Sequence, residues 1–250
     1  MNRTLSKSAV FIMLFALVVV VVVNAMANGL PINGQTTGEI ADQIGLLFIP
    51  PGYVFSIWGL IYVLLLIWLA KFMTSNGRRK SFAPALLYPF LGSALGNVGW
   101  LISFHYEWFY VTMLFMLLLL FSLIRLHWLI SNARDRGPFD LFPISVYIGW
   151  ISIATILNVG IVLVAMGVDP IEGIIVSGQV WTIIVLIIGV VLAVTFMNRC
   201  KDAIYPLVFI WAYIGIGIER AEGFEIISMT CWILVVVMSI MTLIHLIKRR

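Results

Sequence analysis

Charge is what this 250-residue chain has least of. Asp, Glu, Lys and Arg together make up 10% of it, against roughly a quarter in ordinary soluble domains. A soluble fold of this size needs a charged surface, so that class is excluded. Cysteine is nearly absent too. Cys200 lies on a short charged loop and Cys231 inside an apolar segment, which suits neither a disulfide framework nor a metal site. No His/Cys/carboxylate cluster, phosphate loop or Ser-His-Asp arrangement is legible, so the chain reads as a non-enzyme that requires no cofactor. The formal charge of +4 does not mark a nucleic-acid binder, because the basic residues flank apolar runs in small groups. No charged residue falls near the middle of an apolar run, whereas ion-coupled transporters place such groups there. His105, His127 and His245 lie near segment ends, where interfacial polar residues are common.

What the chain has in quantity is apolar length. It is 62% hydrophobic with a mean hydropathy of +1.11, which implies an all-α, polytopic membrane bundle. About eight transmembrane helices are expected: Ala9–Ala27, Pro50–Phe72, Pro84–Phe104, Trp108–Ile130, Pro143–Met166, Ile174–Met197, Ala203–Ile218 and Phe224–Ile247. The seventh is near the lower limit for spanning. The first also has the look of a signal peptide cleaved after Ala25-Met26-Ala27. Asn24 would be out of place in a discarded apolar core, which favours a retained helix. Connecting segments alternate in charge. Of the 15 Lys and Arg residues, 14 fall on one side, all but Arg220. The positive-inside rule makes that side cytoplasmic, with both termini there. The expected setting is the lipid bilayer of the cell membrane.

The most informative stretch is Trp150 to Asn158. On a helix Trp150, Ala154 and Asn158 are spaced i, i+4, i+8 and form one stripe: a flat aromatic, a small residue and an amide. Such a stripe could hold a flat apolar ligand with one polar group, or it could simply pack in a bundle with its amide bonded to a neighbour. Two earlier spans repeat the combination. Trp58 and Tyr62 share a face at i, i+4, and Asn97 and Trp100 share one at i, i+3. Three helices thus offer aromatic surface and two an amide, in keeping with a mostly apolar site holding a few placed polar groups.

At these residues the chain resembles the TspO/translocator protein family, the tryptophan-rich sensory proteins once called peripheral benzodiazepine receptors. The resemblance lies in Pro50-Pro51-Gly52-Tyr53-Val54-Phe55 followed by Trp58 and Tyr62, in Asn97-x-x-Trp100, and in Trp150-x-Ser152-x-Ala154-Thr155-x-Leu157-Asn158. It implies a five-helix core at residues 1–168, with a pocket for porphyrins and other flat hydrophobic molecules. The implied ligand-binding residues are Trp58, Tyr62, Asn97, Trp100, Trp150, Ala154 and Asn158. The chain departs from the family pattern in several places. It is one residue short between Val54 and Trp58, and Ser56 stands where proline is common. An aspartate early in the fourth helix is missing, Pro143 lies about one turn further from Trp150, and residues 169–250 form an additional three-helix extension without counterpart. That extension carries Trp211, a tryptophan outside the implied pocket.

The leading expectation is a TspO-like protein that binds a flat hydrophobic ligand, with a porphyrin or haem-like tetrapyrrole as the possible ligand, acting as sensor, carrier or buffer. The alternatives are a non-catalytic assembly partner with a vestigial pocket, and a tetrapyrrole-degrading enzyme. Gly92 and Gly96 form a small-xxx-small face through which a homodimer is expected, although packing within the chain would use the same face.

Overall fold

The computed structural model of the protein describes residues 4–29, 32–168 and 177–248. Asp169 and Glu172 (the expected turn after the fifth span), Ile174 at the expected start of the sixth, and Arg3, Arg249 and Arg250 lie outside the described residues. Among the described residues the regular elements are all helices: α1 (Lys7–Gly29), α2 (Thr37–Ile44), α3 (Ile57–Lys71), α4 (Ser75–Arg78), α5 (Leu87–His105), α6 (Phe109–Ser131), α7 (Pro138–Ala165), α8 (Gly178–Cys200), α9 (Tyr205–Glu219) and α10 (Glu225–Ile247).

A bilayer forces this choice, because a spanning backbone must satisfy its own N–H and C=O groups. Even the six valines Val18–Val23, β-branched and poor helix formers in water, lie within α1. Among the described residues six helices are long and apolar enough to cross a membrane: α1, α3 with the turn before it, α6, α7, α8 and α10. The other two expected spans are α5, whose Ser, Gly and Asn residues dilute its apolarity, and α9, which has 15 residues.

Span starts are set by caps rather than by the first apolar residue. Pro50 does not begin a helix, since Gly52–Ser56 forms a 3-10 turn and α3 starts at Ile57. The fifth span starts at Pro138, five residues before Pro143. Pro138 occupies the position where a missing N–H costs nothing. The Asp140 carboxylate reaches back to accept the Gly137 N–H at 2.6 Å, as in a capping box.

The described chain divides into two compact units, residues 1–37 with 57–151 and residues 38–56 with 152–250. The division falls inside α7, between Ile151 and Ser152.

In the first unit α5 and α6 pack most intimately, along a glycine face. A Cβ on Gly96 would lie 2.7 Å from the Leu119 backbone nitrogen, and one on Gly92 would lie 2.5 Å from Ser122 Oγ. The face that the sequence offers to a second copy is therefore covered by α6 of the same chain. The basic end of this unit is pinned by Asp140, which is 1% exposed. Its carboxylate pairs with Lys71 and, at 3.4 Å, with Lys80, and its carbonyl accepts the Trp68 indole N–H at 2.9 Å. Beside it Asp135 accepts from the Ser81 hydroxyl (2.6 Å) and amide (2.8 Å). These two bonds hold its carboxyl below the usual carboxylate range.

The second unit builds α8, α9 and α10 with the end of α7 and the segment 38–56. Trp211 donates its indole N–H to Val54 O at 3.1 Å, and Arg220 Nε donates to Leu47 O at 3.0 Å. These bonds group the early segment with the C-terminal helices.

Candidate functional site

Trp58 is the second residue of α3, and Tyr62 follows one turn later. Their rings stack, with centroids 5.7 Å apart and planes at 21°. Trp150 of α7 meets Trp58 edge-on at 6.3 Å and 88°. Tyr147, one turn before it, does the same at 5.9 Å and 74°. Each such pair is worth roughly 0.5–1.5 kcal/mol beyond area burial. Trp150 is buried, whereas Trp58 and Tyr62 are half-buried and keep part of their surface open.

A polar ladder runs beside the rings. Asn24 of α1 donates to Asn97 Oδ1 at 2.8 Å, as well as to Val20 O at 2.9 Å. Asn97 of α5 donates in turn to the Tyr147 hydroxyl of α7 at 3.2 Å. Three helices are thereby joined by side chains that have little else to bond in an apolar medium. The Tyr62 hydroxyl is buried next to the Asn97 amide and makes no hydrogen bond of ordinary geometry. Its ring also lines an apolar groove of about 310 Å³ between α1 and α3, with Leu17 and Val21 on one side and Leu66 on the other.

Of the seven residues read from the sequence, the structure gathers Trp58, Tyr62, Asn97 and Trp150 within the first unit. Trp100 belongs to that unit but stacks on Phe104 of its own helix, at 5.1 Å. Ala154 and Asn158 belong to the second unit, the first half-buried and the second buried. Tyr147 and Asn24 were missed as site residues. A tyrosine in an apolar run carries no distinctive spacing, and Asn24 shows its purpose only once α1 lies against α5. His105, expected near a membrane face, is 1% exposed and donates through Nδ1 to Leu101 O at 2.8 Å. Among the described residues no group of His, Cys, Asp and Glu side chains could hold a metal ion.

A family model described as TSPO-like protein matches residues 10–244. The chain belongs to the TSPO-like family. Together with the six helices able to span a bilayer, this makes it a multi-pass, TSPO-like membrane protein. The match runs through α8 and α9 and most of α10, past residue 168, where the resemblance read from motifs stops. No curated protein and no solved structure matches the chain.

Proposed function

We propose that this TSPO-like protein binds a flat hydrophobic ligand of the tetrapyrrole class without transforming it, and serves as carrier, sensor or buffer with both termini in the cytoplasm. The observation that carries the reading is the half-open Trp58–Tyr62 stack. Its tyrosine both lines the α1–α3 groove and keeps a buried hydroxyl without an ordinary hydrogen bond. Unsatisfied buried polar atoms are uncommon enough to call for a partner. A flat ligand sliding onto the stack, with a carboxylate or carbonyl accepting from Tyr62, would supply one. Trp58 and Trp150 provide the aromatic walls in this reading, and Asn97 the polar corner.

The test is a protoporphyrin titration of the detergent-solubilised protein, followed by tryptophan quenching. Losing a buried aromatic anchor typically costs ~2 kcal/mol, or roughly 30-fold in affinity. Trp150→Ala is expected to weaken binding by about that factor. Trp211 is an unsuitable control because its indole holds Val54. The exposed Trp232 of α10 serves instead, and Trp232→Ala should leave affinity unchanged. Equal loss at both positions, or loss at neither, would reduce the cluster to packing and favour the assembly-partner reading. Light-dependent product formation with turnover would favour the enzyme.

A further inference from the structure

A second cavity lies in the other unit, at the basic ends of α8 and α10. It measures about 480 Å³, within the span of roughly 300–1,000 Å³ common to small-molecule sites. Its lining is divided by chemistry. Lys201, Lys248, Asn198 and His245 supply polar groups, while Met241 and Ile244 supply an apolar wall. His245 Nδ1 and Asn198 Oδ1 are 3.2 Å apart, which ties the two helices together at the cavity.

The charge balance at this place is unusual. Both helices end here, and each C-terminus carries a negative partial charge of about half a unit, which by itself repels anions. The two lysines outweigh it. Lys201 is the left-handed residue that ends α8 (φ 54°), and Lys248 caps α10. Among the described residues no carboxylate lines the cavity. The adjacent Asp202 is 4% exposed, and its carboxylate accepts the Ile204 amide at 3.0 Å. The cavity therefore offers net positive charge next to methionine and isoleucine at the end of two membrane-length helices. Basic hollows between helices at a membrane face are where anionic headgroups are held.

We infer that this cavity is a binding site for an anionic glycerophospholipid, its phosphate between Lys201 and Lys248 and an acyl chain along Met241 and Ile244. The lipid is recognised by the pairing of a phosphate with an apolar tail. A zwitterionic lipid brings a compensating cation towards the lysines, and a free phosphate makes no use of the apolar wall.

The experiment uses the full chain in a non-ionic detergent, with bound lipid counted by native mass spectrometry during titration with dioleoylphosphatidylglycerol or dioleoylphosphatidylcholine. Phosphatidylglycerol should bind in preference to phosphatidylcholine. The double variant Lys201→Gln/Lys248→Gln should weaken phosphatidylglycerol binding about 30-fold. The variant Arg134→Gln/Arg136→Gln, which removes the same charge from an exposed loop of the first unit, should bind like the parent. Met241→Asp leaves both lysines in place and should also abolish the preference, which keeps the test informative if the lysine variant misfolds. Millimolar inorganic phosphate should compete only weakly. Equal binding of the two lipids, equal loss in both double variants, or full displacement by inorganic phosphate would overturn the assignment. None of these readouts depends on tetrapyrrole binding.

Discussion

The glycine face of α5 gives the most direct test of how the first unit is built. A methyl added at Gly96 would lie 2.7 Å from Leu119 N, 2.8 Å from Leu119 Cβ and 2.9 Å from Leu119 Cα. Unstrained carbon contacts lie at about 3.5–4.0 Å, so α5 and α6 would have to part by about 1 Å along a face they share. Two of the three atoms are backbone, and no rotamer change can relieve them. Overpacking of this kind costs typically 1–3 kcal/mol, which outweighs the ~1 kcal/mol by which alanine is the better helix former. Gly59 of α3 is the opposite case, because a methyl there meets nothing within 4 Å. Gly96→Ala should therefore destabilise the protein and Gly59→Ala should stabilise it slightly. SDS titrations of the detergent-solubilised variants, followed by tryptophan fluorescence and circular dichroism, would measure both. The particle mass in mild detergent should stay the same. If Gly96→Ala changes the particle mass but leaves the unfolding midpoint where it was, the face is open to a second copy and the packing argument fails.

Asn97→Leu should destabilise by about 1–3 kcal/mol, because it removes the acceptor of Asn24 and the donor to Tyr147. Combined with Asn24→Leu in the same SDS titration, it should show a coupling above 0.5 kcal/mol; strict additivity would dissolve the ladder. Asp140→Asn should cost about 2–3 kcal/mol by leaving Lys71 and Lys80 without their carboxylate, and adding Lys71→Met should recover part of the loss. A chain ending at residue 168 lacks Trp211 and Arg220, so segment 46–55 should become a chymotrypsin substrate at Phe48, Tyr53 and Phe55. Protection equal to the full chain would show that the segment needs no help from α9.

The helical class and the approximate placement of the spans were legible because apolar length and the grouping of Lys and Arg are one-dimensional signals. So was the proximity of Trp58 to Tyr62, which follows from a spacing of four on one helix. The meeting of Trp58 with Trp150 was suggested only by repetition of the same residue types on separate spans. Helix starts were less legible. The first apolar residue marks where the bilayer environment begins, whereas caps such as Asp140 mark where the backbone turns. Tyr147, Asn24 and Asp140 matter through long-range pairing, which leaves no periodic trace in the sequence. Gly92 and Gly96 illustrate the same limit, since a small-residue face announces close approach without saying to what. Trp211 was placed outside the pocket and was indistinguishable from a lipid-facing tryptophan until its indole was found bonded to a backbone carbonyl of residue 54.

That last bond explains how a helix as short as α9 can belong to a membrane bundle. Its 15 residues reach about 22 Å at 1.5 Å per residue, short of the roughly 30 Å of a hydrocarbon core. A short helix facing lipid would leave its terminal carbonyls and amides in hydrocarbon, where each unsatisfied group costs several kcal/mol. But α9 faces lipid little, since nine of its residues are buried. Segment 38–56 packs beside it. Val54 lies against Gly215, where any side chain larger than hydrogen would collide with it, while Trp211 and Arg220 answer the carbonyls of Val54 and Leu47. Irregular backbone at membrane depth is tolerated when protein side chains satisfy it. The short α9 thus supplies donors to backbone carbonyls of segment 38–56, through Trp211 and through Arg220 at its C-terminal cap, and that segment covers part of α9 in return.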